Sequence, residues 1–270
     1  MRQFLLVFTT LVFCSFAFAG NPPAPDAAGQ APVTAATSTC SFTFTSGTNN
    51  TFLQFCVTAN GNITQLATPF AREHIAVGTI GEGYGICDNT TATGYFDYAD
   101  FGDSGNWGPA TVLNENSSSV KIQRTTSDGI FTLTQTISQP EGNQAVRVQM
   151  VLKNNSSTDR DVFFMRYADV DVSGTSSNNF DATANSAFGW DSSGSSTPPF
   201  GLTLQNTGNT PGLTPIPFIQ KTGAGPVPCA PSNAFTFGPL LATDGSVVMF
   251  YEGTIPRFKS RTVTMNYRGM

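Results

Sequence analysis

The feature that most constrains the fold is a two-residue alternation of apolar and polar side chains in the middle of the chain. Every second residue from Val146 to Leu152 is apolar, whereas Arg147 and Gln149 between them are polar. In an extended strand this period places the apolar side chains on one buried face. The pattern recurs around Val120–Arg124 and Phe131–Ile137, and no stretch shows a 3.6-residue period. The alternation therefore predicts antiparallel strands.

Short strands are also predicted toward both ends of the chain. Residues 40–67 resemble a meander, with a hairpin signal at Asn60-Gly61. The segment Val162–Val172 begins apolar on both faces, which predicts a central strand covered on both sides. Residues 191–233 are rich in Ser, Gly, Pro and Thr, which predicts a long loop, partly functional or ordered against the surface, with a short strand at 201–204. Closing strands are predicted at 247–251 and 262–267.

The composition agrees with a β-sandwich. Charged residues make up 11% of the chain, whereas an ordinary domain contains about a quarter, and this excludes a charge-rich helical bundle. The 23 Phe residues supply apolar area for a core and exclude a disordered chain. The formal charge of −5 and the pI of about 4.7 argue against a nucleic-acid partner or an anionic membrane surface. We predict a single large antiparallel β-sandwich over residues 40–270.

The beginning of the chain has the pattern of a secretory signal. Arg2 precedes the mostly apolar stretch Phe4–Phe18, and Ala17-Phe18-Ala19 fits the small-x-small cleavage pattern. The stretch is short for a membrane span. We predict that residues 1–19 are a cleaved signal peptide and residues 20–39 a flexible Pro/Ala-rich spacer. The protein is thus expected to be secreted or extracellular, without membrane association after cleavage.

Four cysteines remain after this cleavage, and their spacing contains no C-x-x-C knuckle of a zinc site. An even number of cysteines in an exported chain indicates disulfides. A hairpin centred on Thr48 would place Phe44 opposite Phe52 and Cys40 opposite Cys56, close enough to bridge. By elimination, the second disulfide joins Cys87 to Cys229.

One acidic segment resembles a calcium loop. Asp169, Asp171 and Ser173 precede Gly174 with the spacing that opens a D-x-D-x-S-G loop. The twelfth position is Phe180 and not a bidentate Glu, so Asp181, one residue later, is the candidate to replace it. Hard oxygen ligands favour calcium over softer metals. The alternative is a strand end whose Asp residues make turn hydrogen bonds.

An aromatic and acidic segment is the candidate carbohydrate-binding surface. Sugar CH groups stack on aromatic rings, and sugar hydroxyls hydrogen-bond carboxylates and amides. The alternative is a strand with half of its side chains in the core, since large aromatic residues are mostly buried. The candidate ligand-binding residues are Tyr95, Asp97, Tyr98, Asp100, Asn106 and Trp107, with Trp190 as a further candidate.

The sequence offers no recognisable catalytic motif. Gly102-Asp103-Ser104-Gly105 suggests a serine hydrolase, but His74 is the only histidine. It does not lie in the Ala-Ala-His-Cys context of trypsin-like enzymes, nor near the C-terminus, where GDSL-type hydrolases place their histidine. A Gly/Asp/Ser turn explains the motif better. The five Glu residues are scattered along the chain, so a carboxylate pair for glycoside hydrolysis is unsupported by spacing.

The region from Val120 to Asp171 resembles secreted bacterial β-sandwich proteins of unknown function. The resemblance is carried by Thr-Ser-Asp-Gly, by Asn154-Asn-Ser-Ser and by Arg166-Tyr-Ala-Asp-Val-Asp. The layout, including a last strand at Arg261–Tyr267, also resembles the supersandwich of galactose-mutarotase-like domains. This resemblance implies a supersandwich-like fold and a sugar-binding surface. Mutarotases use two histidines and a Glu, whereas this chain has one histidine, so their activity is not implied.

Three functions are consistent with these features. The first is a non-catalytic secreted protein that binds an extracellular glycan. The second is a structural or adhesive subunit of a surface assembly, which would self-associate; the low charge and the surface rich in Thr and Asn suggest it. The third is a glycan-active enzyme that uses a carboxylate pair. Because catalysis needs groups with tuned pKa values and no such motif is visible, the sequence favours a binding role.

Overall fold

A computed structural model describes residues 40–76, 81–99, 102–140, 144–193, 199–221, 226–231, 236 and 238–270. These residues form strands and two short 3-10 turns, Asn49–Thr51 and Val172–Gly174. The predicted all-β fold is confirmed. No helix in the described ranges has the length and apolar character needed to cross a membrane. The predicted signal peptide and spacer lie outside the described residues.

The strands are numbered along the chain. The first nine are β1 (Phe42–Ser46), β2 (Leu53–Val57), β3 (Ile63–Ala67), β4 (Glu82–Asp88), β5 (Thr93–Tyr98), β6 (Gly102–Asp103), β7 (Thr111–Asn116), β8 (Ser119–Thr125) and β9 (Phe131–Ser138). The others are β10 (Ala145–Asn154), β11 (Arg160–Asp169), β12 (Asn178–Ala182), β13 (Ser186–Asp191), β14 (Gly201–Asn209), β15 (Leu213–Gln220), β16 (Leu240–Thr243), β17 (Ser246–Ile255) and β18 (Ser260–Gly269).

Two large sheets form the sandwich. One sheet has nine strands in the order β16-β12-β13-β14-β18-β10-β9-β8-β7, and the other has six in the order β15-β17-β11-β4-β5-β6. The strands β1, β2 and β3 form a separate small sheet. The apolar face of β10, from Val146 to Leu152, is buried against the facing sheet, and this confirms the alternation predicted from the sequence. A disulfide-stabilised antiparallel sandwich is thus the fold of the described residues.

Strand β11 lies at the centre of the six-stranded sheet, between β17 and β4. Its side chains Val162 and Phe164 point into the core between the two large sheets. The alternate residues Met165 and Tyr167 belong to a second apolar cluster on the outer face of the same sheet. A strand covered on both sides was predicted here, and the two clusters confirm it.

Both predicted disulfides are present. Cys40 and Cys56 have their Cα atoms 5.5 Å apart, and those of Cys87 and Cys229 are 4.9 Å apart. The predicted register of the first hairpin was wrong, because Phe44 pairs with Phe55 and not with Phe52. The 3-10 turn between β1 and β2 takes up residues that the simple hairpin assigned to the strands. Cys56 therefore lies opposite Thr43, and Cys40 reaches it from just before the strand.

Part of the predicted long loop at residues 191–233 forms two strands. The strands β14 and β15 occupy much of this range, and β14 extends the predicted short strand to nine residues. Strand β15 contains Pro215 and Pro217, which weakened its signal in the sequence. Both prolines are tolerated because β15 is an edge strand of the six-stranded sheet.

Candidate functional site

A buried ion pair on the six-stranded sheet is hydrogen-bonded across the interior to the nine-stranded sheet. Arg166 on β11 is bonded to Glu82 on β4, and both side chains are fully buried. Arg166 also donates to the Oε1 of Gln135 on β9 at 2.7 Å and to the carbonyl of Gly61 at 2.8 Å. The Tyr267 hydroxyl donates to Glu82 at 2.8 Å. Burial raises the pKa of Glu82, and the Arg166 guanidinium opposes this effect.

A second buried cluster surrounds Arg124 on β8. Its guanidinium forms ion pairs with Asp97 and with Asp103, the latter at 2.8 Å. The Nδ2 of Asn62, in the turn before β3, donates to Asp97 at 2.5 Å. Burial raises the pKa of Asp97, and Arg124 lowers it. Together the two clusters fasten the β2–β3 turn between the large sheets, and every charged group in them has a partner.

The structure places most of the predicted carbohydrate-binding residues in the core. Tyr95, Asp97 and Tyr98 are each 1% exposed, and Trp107 is 8% exposed. The Trp107 indole donates to the carbonyl of Phe96 at 3.1 Å. This burial disagrees with an open stacking surface, and its cause is that β5 is covered on both faces. Of the other candidates, Asn106 is half-buried and bonds the carbonyl of Gly94, and Asp100 lies outside the described residues.

Trp190 has a different environment from the other predicted aromatic residues. It lies half-buried on β13, where its ring stacks on Phe188 with centroids 5.7 Å apart. The residues that alternate with this pair, Ala187 and Gly189, are buried in the core face of the nine-stranded sheet. Trp190 and Phe188 therefore form a partly open aromatic pair on the outer face of that sheet.

His74 and Ser104 are both buried. Burial lowers the pKa of His74 to about 4, so the imidazole is neutral near pH 7. Its Nε2 is hydrogen-bonded to the carbonyl of Thr68. The Ser104 hydroxyl accepts the Phe96 N–H at 3.3 Å. Both side chains thus have structural partners in the interior.

A pocket opens on the outer face of the six-stranded sheet, and we call it the outer-face pocket. Its volume is about 380 Å³, within the range of small-molecule sites. Phe163 on β11 is half-buried and meets the buried Phe250 on β17 edge to face, with centroids 6.2 Å apart. The exposed carboxylate of Glu252 lies at the margin, because it is paired with Phe163 across the strands. The described lining residues are Phe163, Ile216, Cys229, Ala230, Pro231, Phe250 and Glu252.

One wall of the outer-face pocket is a segment held by a disulfide. Cys87 on β4 is next to Phe163 in the sheet, and its bond to Cys229 brings residues 226–231 over this face. The Tyr98 hydroxyl donates to the carbonyl of Pro226, which holds the segment at a second point. Gly85 leaves room for it, since a Cβ at Gly85 would lie 2.7 Å from Pro228. The pocket therefore depends on contacts between residues far apart in the chain.

Two further pockets have different linings. One, of about 270 Å³, lies beside β15 and β12 and includes Asp181 and Phe218. The other, of about 450 Å³, is lined by Ser46, Gly47, Thr51, Gln139, Gln144, Arg268 and Gly269. The described lining of this larger pocket contains no aromatic ring for a sugar to stack on. The outer-face pocket is the one of the three in which aromatic rings and an exposed carboxylate meet.

Three carboxylates converge at one end of β11, and we call them the acidic cluster. Asp169, Asp171 and Asp244 each offer an oxygen atom, and the three oxygens lie within 4.8 Å of one another. Burial and the charges of Asp244 and Asp171 raise the pKa of Asp169 to about 8. Burial and Asp244 likewise raise the pKa of Asp171.

The calcium loop predicted from sequence is only partly matched by this cluster. Ser173 is exposed and its hydroxyl accepts a hydrogen bond from Arg72. Asp181 accepts the N–H of Ala182 at 2.8 Å and lines the pocket beside β15. The described residues thus bring Asp169 and Asp171 together with Asp244, and Asp181 is not part of this group.

Sequence reasoning missed Asp244, Phe163, Phe250 and Glu252. The Asp244-Gly245 pair is typical of a turn before a strand. Which residues lie close to Asp244 in space depends on the register of β11 with β17, in which Asp169 pairs with Ser246. The apolar run on both faces of β11 was a signal for Phe163. Its partners on β17 lie almost ninety residues further along the chain, so the pattern alone could not bring them together.

No protein-family model matches the sequence, and no curated protein matches it. Several solved structures do match. A bacterial glucoamylase complexed with acarbose is 9% identical, with a TM-score of 0.56 over 93% of this chain. A polysaccharide lyase is 8% identical, with a TM-score of 0.50 over 83% of this chain. The likeness is one of fold.

The chain spans only about a third of these two enzymes, covering 34% of the glucoamylase and 33% of the lyase. An Escherichia coli K12 protein described as an aldose 1-epimerase also matches, at 9% identity and a TM-score of 0.48, over 85% of this chain and 99% of that one. The resemblance to β-sandwich proteins that the sequence indicates is confirmed at the level of the fold by the glucoamylase and lyase matches.

Proposed function

We propose that the protein is a secreted, non-catalytic carbohydrate-binding protein and that the outer-face pocket holds a sugar residue. The observation that carries the proposal is the meeting of the half-buried ring of Phe163, packed on the buried Phe250, with the carboxylate of the exposed Glu252 in one pocket. Sugars present apolar CH faces and hydroxyl edges, so a pocket that binds them needs both kinds of surface.

The floor of the pocket is rigid. Phe250 is buried and stacks on Phe218 with centroids 5.3 Å apart, while Phe163 stands edge-on to Phe250. Both strands are paired on each side within the sheet. A ring held in place by a packed sheet loses little side-chain entropy when a ligand stacks on it, which favours affinity.

Glu252 supplies the polar contact. Its side chain is exposed and forms no ion pair with any described residue. Its oxygens are therefore accessible as acceptors for sugar hydroxyls. Hydrolysis by the paired-carboxylate route needs two carboxyl groups about the scissile bond. Of the described lining residues only Glu252 carries one, which favours binding over cleavage.

The two disulfides support an extracellular setting, because such bonds persist in oxidising compartments. The sequence pattern at residues 1–19 supports export. Polysaccharides are among the ligands that a protein meets in that setting. The proposed partner is thus an extracellular glycan.

The experiment is binding of the purified protein to a glycan array, followed by titration calorimetry with the strongest glycan. Phe163→Ala is expected to weaken binding at least tenfold, which corresponds to about 1.4 kcal/mol, and Glu252→Gln to weaken it several-fold. Phe258→Ala is the matched control, since this Phe is 60% exposed and lies outside the pocket. Far-UV circular dichroism establishes that each variant is folded.

Three results would contradict the proposal. The first is the absence of any bound glycan. The second is loss of binding in Trp190→Ala with unchanged binding in Phe163→Ala, which would place the site on the nine-stranded sheet. The third is release of cleaved product from the bound glycan, which would establish catalysis.

A further inference from the structure

We propose that the acidic cluster of Asp169, Asp171 and Asp244 binds a calcium ion. Asp169 and Asp171 are two positions apart in the chain, and Asp244 comes from a distant part of it. Asp169 ends β11, Asp171 directly precedes the 3-10 turn Val172–Gly174, and Asp244 lies in the connection between β16 and β17. The approach of Asp244 to the other two carboxylates, within 4.8 Å, is therefore produced by tertiary structure and not by a local loop.

The strongest observation is an unsatisfied oxygen. Asp169 is only 6% exposed, and its Oδ1 is buried without a hydrogen-bond partner. The Oδ1 of Asp171 is also buried and unpartnered. A buried carboxylate oxygen without a partner costs free energy, so such atoms in a native protein need an explanation. A bound cation supplies one for both oxygens.

Among the described residues, no positively charged side chain pairs with Asp169 or Asp171. The backbone N–H groups of both residues are already used, by the carbonyls of Gly81 and His74 respectively. Three carboxylates at this separation repel one another unless a positive charge lies between them.

The chemistry of the ligands favours calcium. Carboxylate oxygens are hard ligands, and calcium accepts six to eight oxygens in a flexible geometry that carbonyls and water can complete. Magnesium requires a near-ideal octahedron and retains more water. No histidine or cysteine side chain belongs to the cluster, which disfavours zinc.

A cation bound to the acidic cluster would join three segments that meet at the end of β11. The N–H of Val170 donates to the carbonyl of Gly245 at 3.1 Å, and the N–H of Asp171 donates to the carbonyl of His74 at 3.1 Å. Ile75 bridges to Val170. The ion would thus fasten the end of β11 to the β16–β17 connection and to residues 74–76, so its role is structural stabilisation.

The test uses the full secreted chain, freed of metal by chelation and dialysis. Calorimetric titration with CaCl₂ is expected to give one site per chain, with weaker binding of MgCl₂. Calcium at about a hundred times its Kd is expected to raise the Tm by about 5 °C or more. Metal content measured before chelation is a second readout that does not depend on refolding.

Variants distinguish the cluster from the loop that the sequence suggested. Asp244→Asn is expected to weaken calcium binding at least tenfold, because it removes one of three charged ligands. Asp181→Asn is the matched control and is expected to bind calcium like the original protein. Each variant is checked for folding by circular dichroism. If Asp244→Asn fails to fold, Asp181→Asn and the calcium titration of the original protein still decide the matter.

Two results would overturn the proposal. One is a folded original chain that neither releases metal on chelation nor binds added calcium, in which case Asp169 is a buried protonated acid. The other is calcium binding that Asp181→Asn abolishes and Asp244→Asn leaves intact, which would restore the sequence-based loop. The glycan experiment involves different residues, so failure of either proposal is recognised separately.

Discussion

At the scale of single residues, the interior of this sandwich is unusual in containing two arginines. Arg166 is fully buried and Arg124 is 5% exposed, and each has carboxylate partners. Buried pairs of this kind contribute little net stability compared with apolar side chains, but loss of one partner leaves an uncompensated charge. The pairs fix the position of the β2–β3 turn, since Gly61 hydrogen-bonds to Arg166 and Asn62 to Asp97.

Arg166→Met is therefore expected to lower the free energy of unfolding by about 3–5 kcal/mol, because the Glu82 carboxylate remains buried without its cation. Arg166→Met with Glu82→Leu is expected to recover about 2 kcal/mol of that loss. Urea unfolding at pH 7 measures both. Arg147→Met, at an exposed position on β10, is the control and is expected to change stability by less than about 0.5 kcal/mol. Equal losses in the single and double variants would contradict this account.

The same residues indicate how far the sequence could be interpreted. The alternation around Val120, Ile122 and Arg124 correctly placed Arg124 on the same face as the two apolar residues. Its partner Asp97 lies on β5, in the other large sheet, and no local pattern links the two positions. Asp97 therefore looked like part of a sugar-binding surface, because a charged residue in a strand is most often exposed. The buried pair is a property of tertiary packing.

At the scale of elements, the disulfides have different consequences although both were predicted. Cys40–Cys56 joins neighbouring strands of the small sheet, whereas Cys87–Cys229 closes a loop with a sequence separation of 142 and holds the wall of the outer-face pocket. In the chain-entropy model the longer loop contributes about 5 kcal/mol and the shorter about 3 kcal/mol.

Removal of each disulfide separates stability from binding. Cys87→Ala with Cys229→Ala is expected to lower both the free energy of unfolding and the affinity for the glycan, because residues 226–231 lose their attachment to β4. Cys40→Ala with Cys56→Ala is expected to lower stability only. Urea unfolding and calorimetry on the two variants measure these effects. Unchanged glycan affinity in the first variant would show that this wall takes no part in binding.

Element order was predictable where the pattern is local and less so where pairing is distant. The strands from β8 to β11 follow directly from alternation and turns. In contrast, β15 pairs with β17 although its prolines weaken the strand pattern in the sequence, and β14 joins the nine-stranded sheet next to β18. Because the outer-face pocket and the acidic cluster lie where β17 meets β11 or β15, both sites depend on these distant pairings.

At the scale of the whole molecule, one apolar core connects all three sheets. The core cluster contains Phe55 from the small sheet, Phe164 from the six-stranded sheet and Val148 from the nine-stranded sheet. The buried arginines bond across the same space. A chain whose sheets share one core is expected to unfold as one unit.

Truncation at the predicted domain boundary tests both that boundary and the cooperativity of unfolding. Chains that begin at Gly20 and at Cys40 are expected to unfold in urea with midpoints and slopes that agree within error, because the apolar strand pattern begins only after Cys40. Tryptophan fluorescence, to which Trp107 in the shared core and Trp190 on β13 both contribute, and far-UV circular dichroism are expected to give the same transition. A lower slope in the shorter chain would show that residues 20–39 bury surface on the domain. A separate early transition in circular dichroism would show instead that the small sheet unfolds independently, and the single-domain prediction for residues 40–270 would then be wrong.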